Sequence, residues 1–256
     1  MDARADDAIA QRLYCSLELS SRKVSREKMA TYLVTGANRG IGYEYCKQLQ
    51  ERGDEVIATC RSSSAELDAL GAKKGVRVIA GVDIADSEAI ASLLSSLDEQ
   101  PIDTLINNAG IYRQSNLGDL NVEGIIEQFE TNAVAPLVFT KALLPNLRLA
   151  RQGAKVAIMT SRMGSIDDNT SGGSYGYRMS KVAVSMAGKS LSHDLASDNI
   201  AVAILHPGLV STGMTNFTSS GISPAESVAG LLKIIDALSM ENTGSFWHSN
   251  GEILPW

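Results

Sequence analysis

Two side chains in the stretch SRMGSIDDNTSGGSYGYRMSK, Ser161 to Lys181, could share proton chemistry: Tyr177 and Lys181, four positions apart. On a helix that spacing puts both on one face. A fixed ammonium beside a phenol favours the phenolate and lowers a pKa that is ordinarily about 10. Such a pair could give and take a proton near neutrality. A serine, Ser161, stands just after the apolar run Val156-Ala157-Ile158-Met159, and a polar, Gly-rich loop follows it. Spacing alone does not select this pair. Tyr43 and Lys47 are also four apart, whereas Tyr175 is followed four residues later by Met179 and lacks the cation.

A second constellation lies upstream in TYLVTGANRGIG, Thr31 to Gly42. Gly36, Gly40 and Gly42 follow an apolar run and open a segment of helical character. Glycines in such a turn let the backbone approach a pyrophosphate, and the helix N-terminus favours its charge. Strand, turn and helix in that order are the context the motif requires. In NAD sites an acidic side chain about 20 residues further on binds the adenosine ribose. Here that position falls near Thr59-Cys60-Arg61 and holds no carboxylate, since Asp54 and Glu55 stand at the start of the strand. Arg61, with Arg39 inside the turn, offers two guanidiniums suited to a 2′-phosphate. The expected cofactor is NADP, with NAD the less favoured choice.

The elements that must position these groups alternate. Apolar runs predict strands over Thr31–Thr35, Glu55–Cys60, Val76–Val82, Ile102–Ile106, Lys155–Met159, Ile200–Leu205 and Ser245–His248. Helical patterns predict Tyr43–Arg52, Ala65–Leu70 and a segment capped by Asp86. One long or slightly broken helix is expected over 121–149, with Pro136 and Pro145 as kinks or ends. Helices over Tyr177–Ala196 and from Ser223-Pro224 to about Leu238 follow. In the helix at 177–196, the small residues Ala183, Ser185, Ala187 and Gly188 allow close packing. Apolar strands alternating with helices imply a parallel sheet covered on both faces. The expected fold is α/β: a single doubly wound Rossmann-type domain over 29–256 with a seven-stranded parallel sheet. Residues 1–28 are expected to form a poorly ordered extension.

With 256 residues, 44% of them apolar and 20% charged, the chain can bury a sizeable core. A net charge of −6 without a basic stretch argues against nucleic acid and anionic membrane as partners. No apolar run approaches the ~20 residues of a membrane span. Residues 1–28 lack the apolar core of a secretory signal and are too acidic for an organellar one. Cys15, Cys46 and Cys60 show no CxxC spacing and the three His are scattered, so neither a disulfide framework nor a metal site is expected. A reducing cytoplasm fits this cysteine usage.

TGANRGIG, Asp83-Ile84, Asn107-Asn108-Ala109-Gly110, Ser161, Tyr177-x-x-x-Lys181 and Pro207-Gly208 occur together and in order. From about residue 30 onwards the chain resembles a short-chain dehydrogenase/reductase. The Ser161–Lys181 stretch and the ending FWHSNGEILPW are similar to the C-factor-like subgroup, which includes Sniffer-type carbonyl reductases. The resemblance implies an NAD(P)-dependent oxidoreductase acting on a small-molecule carbonyl or alcohol. The subgroup also raises an alternative, a nucleotide-binding sensor or signalling protein with little or no turnover.

The resemblance assigns roles residue by residue. Tyr177 exchanges the proton, Lys181 tunes it and holds the nicotinamide ribose, and Ser161 hydrogen-bonds the substrate oxygen. Asn132, in the helix TNAVAP, matches the family's asparagine that holds a relay water. Gly36, Asn38, Arg39, Gly40, Ile41 and Gly42 form the pyrophosphate turn, and Arg61 stands beside it. Asp83 accepts from the adenine amine with Ile84 beside the ring. Asn108, Ala109 and Gly110 line the cofactor. Pro207, Gly208, Val210 and Thr212 form the turn that holds the carboxamide. Tyr43 and Lys47 fall to the helix surface, and His206 before Pro207 is read as structural. Two departures bear on substrate: the Ser161–Tyr177 interval is longer than in many members, and the covering segment between Gly213 and Ser223 is short. A homodimer or homotetramer paired through the long helices is a family expectation.

Overall fold

The computed structural model describes residues 29–256, so the expected extension over 1–28 lies outside the described residues. One sheet of seven parallel strands runs in the order β3-β2-β1-β4-β5-β6-β7. The strands are β1 (Thr31–Thr35), β2 (Glu55–Thr59), β3 (Val76–Ile79), β4 (Thr104–Asn107), β5 (Ala154–Met159), β6 (Ile200–His206) and β7 (Ser245–His248). This is a Rossmann fold. The strand order reverses between β1 and β4, which places a crevice outside their carboxyl ends. Every residue of β4 and β6 is buried, as strands covered on both faces require.

The helices are α1 (Gly40–Arg52), α2 (Ala65–Gly71), α3 (Ser87–Leu97), α4 (Val122–Phe129), α5 (Ala135–Ala142), α6 (Leu144–Arg148), α7 (Tyr175–Asp194) and α8 (Pro224–Ala237). Leu33, Ile57, Leu105, Val156 and Val202 of the strands meet Ile90 and Leu93 of α3, Phe139 of α5 and Val184 of α7 in one core. Fully burying each such side chain contributes about 2 kcal/mol. Caps set the helix starts as the sequence suggests. The Asp86 carboxylate accepts from the amides of Glu88 and Ala89, and Ser223 accepts from Glu226 with Pro224 at the first helical position.

Three expectations need adjustment. The strand β3 stops at Ile79, short of Val82, where Gly81 turns left-handed at φ 82°. Helix α7 begins at Tyr175, so Tyr177 lies inside its first turn. The long helix over 121–149 is broken into α4, a π-turn at Glu130–Val134, α5 and α6. Pro136 cannot donate to the carbonyl four residues back, that of Asn132, and its ring crowds that carbonyl. The chain widens there into a π-turn, a device frequent at functional sites.

Helix α7 lies close on the sheet because Gly188 has no side chain. A Cβ there would fall 2.7 Å from Ile204 Cγ1 and 3.1 Å from Ile158 Cδ1. At the other end of the same helix, a Cβ on Gly176 would fall 2.5 Å from Gln128 Nε2 and 3.0 Å from Ile125 Cα. Helix α7 is thereby fixed against β5, β6 and α4 at once, and with it the residues it carries.

Candidate active site

Ser161 follows β5 and caps a short 3-10 turn, its Oγ accepting from the amide of Met163 at 3.1 Å. The Lys181 carbonyl accepts from Thr160 Oγ1 at 3.0 Å and from Ser185 Oγ at 2.8 Å. A Cβ on Gly164 would strike the main chain of Lys181 at 2.8 Å. The serine turn and the first turns of α7 are thus tied together through the backbone. Tyr177 is half-buried and Lys181 is buried. The Lys181 Nζ sits 5.6 Å from the Tyr177 ring centroid and donates to the Met159 carbonyl at 2.9 Å.

Burial pushes the Tyr177 phenol up to about 12; its hydrogen bond with Ser161 works in the opposite direction, and Tyr112 adds to the rise. Burial also pushes the Lys181 ammonium down to about 8. The expected lowering of the phenol by the ammonium is therefore absent in this state. Desolvation penalises both charged forms and outweighs their attraction at this separation. Tyr177 is a protonated acid here, held beside a serine hydroxyl.

Asn132 lies in the π-turn with its side-chain amide fully committed. Its Oδ1 accepts from the amide of Ile111 at 2.8 Å, and its Nδ2 donates to the Ile111 carbonyl at 2.9 Å and to Ser180 Oγ at 3.0 Å. Ser180 Oγ in turn donates to the Tyr177 carbonyl at 2.8 Å. A Cβ on Gly110 would fall 3.0 Å from Asn132 Oδ1 and 3.6 Å from Lys181 Nζ. Gly110, Asn132, Ser161, Tyr177 and Lys181, far apart in sequence, converge at the carboxyl ends of β4 and β5.

The glycine turn converges on the same edge. Helix α1 starts with no side-chain cap on Arg39, which leaves its first amides open to an anion. Gly36 adopts φ 66°, and a Cβ there would meet Ala109 Cα at 2.9 Å. A Cβ on Gly42 would meet the Gly36 carbonyl oxygen at 2.2 Å and Asn108 Nδ2 at 2.5 Å. Asn108 holds the turn by donating to the Thr35 carbonyl at 2.9 Å. The Asn38 carbonyl accepts from Ser64 Oγ at 2.9 Å. A Cβ on Gly40 would touch Thr212 Cγ2 at 3.6 Å, so the loop after β6 reaches the turn after β1. In that loop Gly208 is left-handed at φ 85°, and the Val210 carbonyl is taken by Thr215 Oγ1 at 2.6 Å. A bare backbone cradle at a helix N-terminus fits a dinucleotide pyrophosphate.

Arg61, just after β2, and Asp83, just after β3, form an exposed pair, Nη1 to Oδ2 at 3.7 Å. The Arg39 guanidinium is exposed and makes no ion pair among the described residues. Ile84 is buried in the same core cluster as Val82 and Ile90. The rival pair goes elsewhere: Lys47 faces Glu44 at 3.9 Å on α1.

A sequence model described as short chain dehydrogenase matches residues 30–222. The chain belongs to the short-chain dehydrogenase family. It is 42% identical to a Rhodococcus 1-hydroxy-2-glutathionyl-2-methyl-3-butene dehydrogenase over 233 residues, 89% of this chain and 100% of that one. It is 45% identical to the C-signal of Myxococcus xanthus over 159 residues, 61% of this chain and 93% of that one. The NADPH-bound carbonyl reductase from chicken fatty liver superposes with a TM-score of 0.82 at 31% identity, covering 89% of this chain and 99% of that one.

In this short-chain dehydrogenase, His206 cannot serve as a base near neutrality. Burial pushes its imidazole down to about 3, and it packs edge-on against His248 with ring centroids 4.9 Å apart. Among the described residues no group of three or more His, Cys, Asp and Glu is placed to hold a metal, and no helix is long and apolar enough to cross a membrane.

The sequence reading missed several residues of this dehydrogenase site. Tyr112 packs edge-on against Tyr177 at 5.1 Å, and its hydroxyl bonds Ser174 Oγ at 3.1 Å. Ser174, at φ 47°, leads into α7 and donates its amide to the Ser115 carbonyl at 2.7 Å. The long interval after Ser161 is stapled, with Asp168 paired to Arg162 at 3.1 Å and the Asp167 amide bound to the carbonyl of the terminal Trp256 at 2.9 Å. Proximity to the NNAG motif was the available signal for Tyr112. Nothing local in the sequence pointed to Trp256.

Proposed function

We propose that this chain is an NADP-dependent oxidoreductase that interconverts a small carbonyl compound and its alcohol. The observation that carries the reading is the convergence of Ser161, Tyr177 and Lys181 beside the glycine cradle. Ser161 holds the substrate oxygen, and Tyr177 gives it a proton in reduction or takes that proton back in oxidation. Gly36 to Gly42 hold the pyrophosphate through main-chain amides, and Lys181 holds the nicotinamide ribose. The bound nicotinamide supplies or accepts the hydride. Asn132 braces Ile111 and Ser180 with its side chain, so a relay water at this residue falls to its main-chain carbonyl, which Pro136 deprives of the ordinary helical donor. Pro207, Gly208, Val210 and Thr212 support the carboxamide, and Asn108, Ala109 and Gly110 flank the cofactor.

NADP is preferred over NAD because Arg39 and Arg61 flank the adenosine end and no carboxylate stands at the close of β2. The NADPH-bound chicken neighbour supports the same choice. The Rhodococcus relative, a dehydrogenase by name, supports turnover over a purely signalling role, whereas the likeness to C-signal keeps the second reading in view. Parallel fluorescence titrations with NADPH and NADH test the cofactor. NADPH should bind at least tenfold more tightly, and Arg61→Ala should narrow the gap. Tighter NADH binding contradicts the assignment. A carbonyl panel scored for NADPH oxidation tests turnover, and no oxidation with any member favours the sensor.

A cytoplasmic setting is part of the proposal, supported by Cys46 and Cys60, both buried and unpaired. A homodimer or homotetramer is proposed as well. Its support is the exposed apolar residues on two long-helix segments, Ile126 and Phe129 of α4 and Met179 and Met186 of α7. Sedimentation of the purified protein as a monomer at micromolar concentration would remove that part.

A further inference from the structure

Arg178 follows Tyr177 directly in α7 and reaches back over the long interval between Ser161 and Tyr177. Its guanidinium spans three acceptors of that interval. Nη2 donates to Ser171 Oγ at 2.8 Å, Nε to the Gly172 carbonyl at 3.3 Å and Nη1 to the Met163 carbonyl at 3.4 Å. The first bond is short and the other two are long, so the fork is centred on Ser171. Arg178 is half-buried and makes no ion pair among the described residues. Its donors go to neutral acceptors of one loop rather than to a carboxylate.

The two ends of the interval meet at this side chain. Met163, whose carbonyl takes Nη1, donates its own amide to Ser161 Oγ at 3.1 Å. Ser171 and Gly172 lie at the far end. There the chain runs left-handed over Gly172, Gly173 and Ser174, at φ 64°, 65° and 47°, and then enters α7. That conformation is unfavourable at Ser174, which carries a Cβ, and it persists only where its surroundings hold it. The Ser174 amide donates to the Ser115 carbonyl at 2.7 Å and the Gly172 amide to Asn169 Oδ1 at 3.1 Å. The Arg178 fork grips the residues just before the turn. The close fit of Gly164 under Lys181 fixes the first turn after Ser161; Arg178 joins that turn to Ser171 and Gly172.

We propose that Arg178 is a positioning residue for the proton transfer: by holding the Ser161 turn and the Ser171–Gly172 end of the loop to α7 at once, it aligns the Ser161 hydroxyl and the Tyr177 phenol on one substrate oxygen. The proposal rests on the carbonyl/alcohol reading of the active site. Arg178 acts on the reaction through the loop, by geometry and not by proton transfer. The residue type matters. A lysine would keep the charge but lacks the planar fork that meets Ser171, Gly172 and Met163 together.

Ketone reduction with NADPH by the wild type, Arg178→Ala, Arg178→Lys and Ser171→Ala tests it. Arg178→Ala should lower kcat about tenfold, less than the ~10²-fold of a misplacement of about 1 Å, with NADPH affinity unchanged. Arg178→Lys should be as slow as Arg178→Ala. Ser171→Ala removes only the shortest bond and should lie between Arg178→Ala and the wild type. Millimolar guanidinium chloride should restore much of the rate of Arg178→Ala, and sodium chloride at the same ionic strength should not. Wild-type kcat in Arg178→Ala or Arg178→Lys overturns the proposal, as does a rate that guanidinium does not raise. An equal loss of NADPH affinity also overturns it, because Arg178 would then support the fold at large. Ser171 is exposed, so Ser171→Ala decides if Arg178→Ala does not fold, and wild-type kcat there overturns the proposal. Tyrosine labelled with carbon-13 at Cζ gives a readout independent of turnover. The Tyr177 resonance, identified by its loss in Tyr177→Phe, should shift in Arg178→Ala as the hydrogen bond with Ser161 changes, and return on adding guanidinium. An unmoved resonance overturns the proposal. A protein that shows the shift and its reversal yet reduces no ketone refutes the oxidoreductase reading and leaves the hold of Arg178 on Tyr177 standing.

Discussion

The two halves of the site are built from different materials. Around the glycine turn the closest approaches are to main chain, with Gly42 under the Gly36 carbonyl and Gly36 against Ala109. Around Tyr177 side chains also meet side chains, with Tyr112 on Tyr177 and Asn132 on Ser180. A Cβ at Gly36 or Gly42 would displace main chain, whereas one at Gly40 would only touch the Thr212 side chain at 3.6 Å. A half made of side chains can be retuned one residue at a time, which suits the part of an enzyme that must change with its substrate.

The sharpest way to break that contrast is a methyl group. Gly42→Ala puts a carbon 2.2 Å from the Gly36 oxygen and should abolish measurable NADPH binding. By overpacking it should also cost about 1–3 kcal/mol of stability, read as a fall in Tm. The matched control is Gly53→Ala, at φ 90° with nothing within 4 Å of the new carbon. It should cost about 1 kcal/mol and leave NADPH binding intact. Equal behaviour of the two variants would show that the cradle is not as tight as described.

Gly176→Ala probes the other half. Its Cβ would press Gln128 and the Ile125 main chain and shift the first turn of α7, where Tyr177 lies. Misplacement of a reacting group by about 1 Å costs about 10²-fold. A fall of that order in kcat, with NADPH affinity kept, is expected from stopped-flow and titration together. Lost NADPH affinity would mean that the halves are not separable.

A smaller effect should appear in the pH profile. Burial holds Lys181 near 8, below the ordinary lysine value, and Tyr177 near 12. The lysine cation is present below about pH 8 and lost above it, while the phenol stays protonated throughout that range. For carbonyl reduction, kcat/KM for NADPH, which reports the free enzyme, should be flat from pH 6 to 7 and fall above about 8, by up to tenfold per unit. A limb displaced above pH 10 would contradict the burial assigned to Lys181.

The same contrast explains what could be read from the sequence. Gly36, Gly40, Gly42 and Asn108 stand close together in the chain or in fixed motifs, and their function is local geometry, so spacing reveals it. The strands were legible for a similar reason: β6 is buried at every position and reads as an unbroken apolar run from Ile200 to Leu205. Pro136 marked a break in the long helix, but the partner of the Asn132 side chain, the Ile111 amide, lies 21 residues away in sequence and has no local signal. The depressed lysine and raised phenol depend on burial, which no spacing encodes. Tyr112 and Trp256 act through long-range contacts and carry no motif of their own.

The central claim is that Tyr177 supplies the proton while the glycine cradle, independently, holds the cofactor. A single-turnover measurement on NADPH-loaded Tyr177→Phe, with a ketone that the wild type reduces, tests both parts in one experiment. The expected result is unchanged NADPH affinity with reduction slowed about 10²- to 10⁴-fold, the usual contribution of a positioned acid. Reduction at the wild-type rate would contradict the claim.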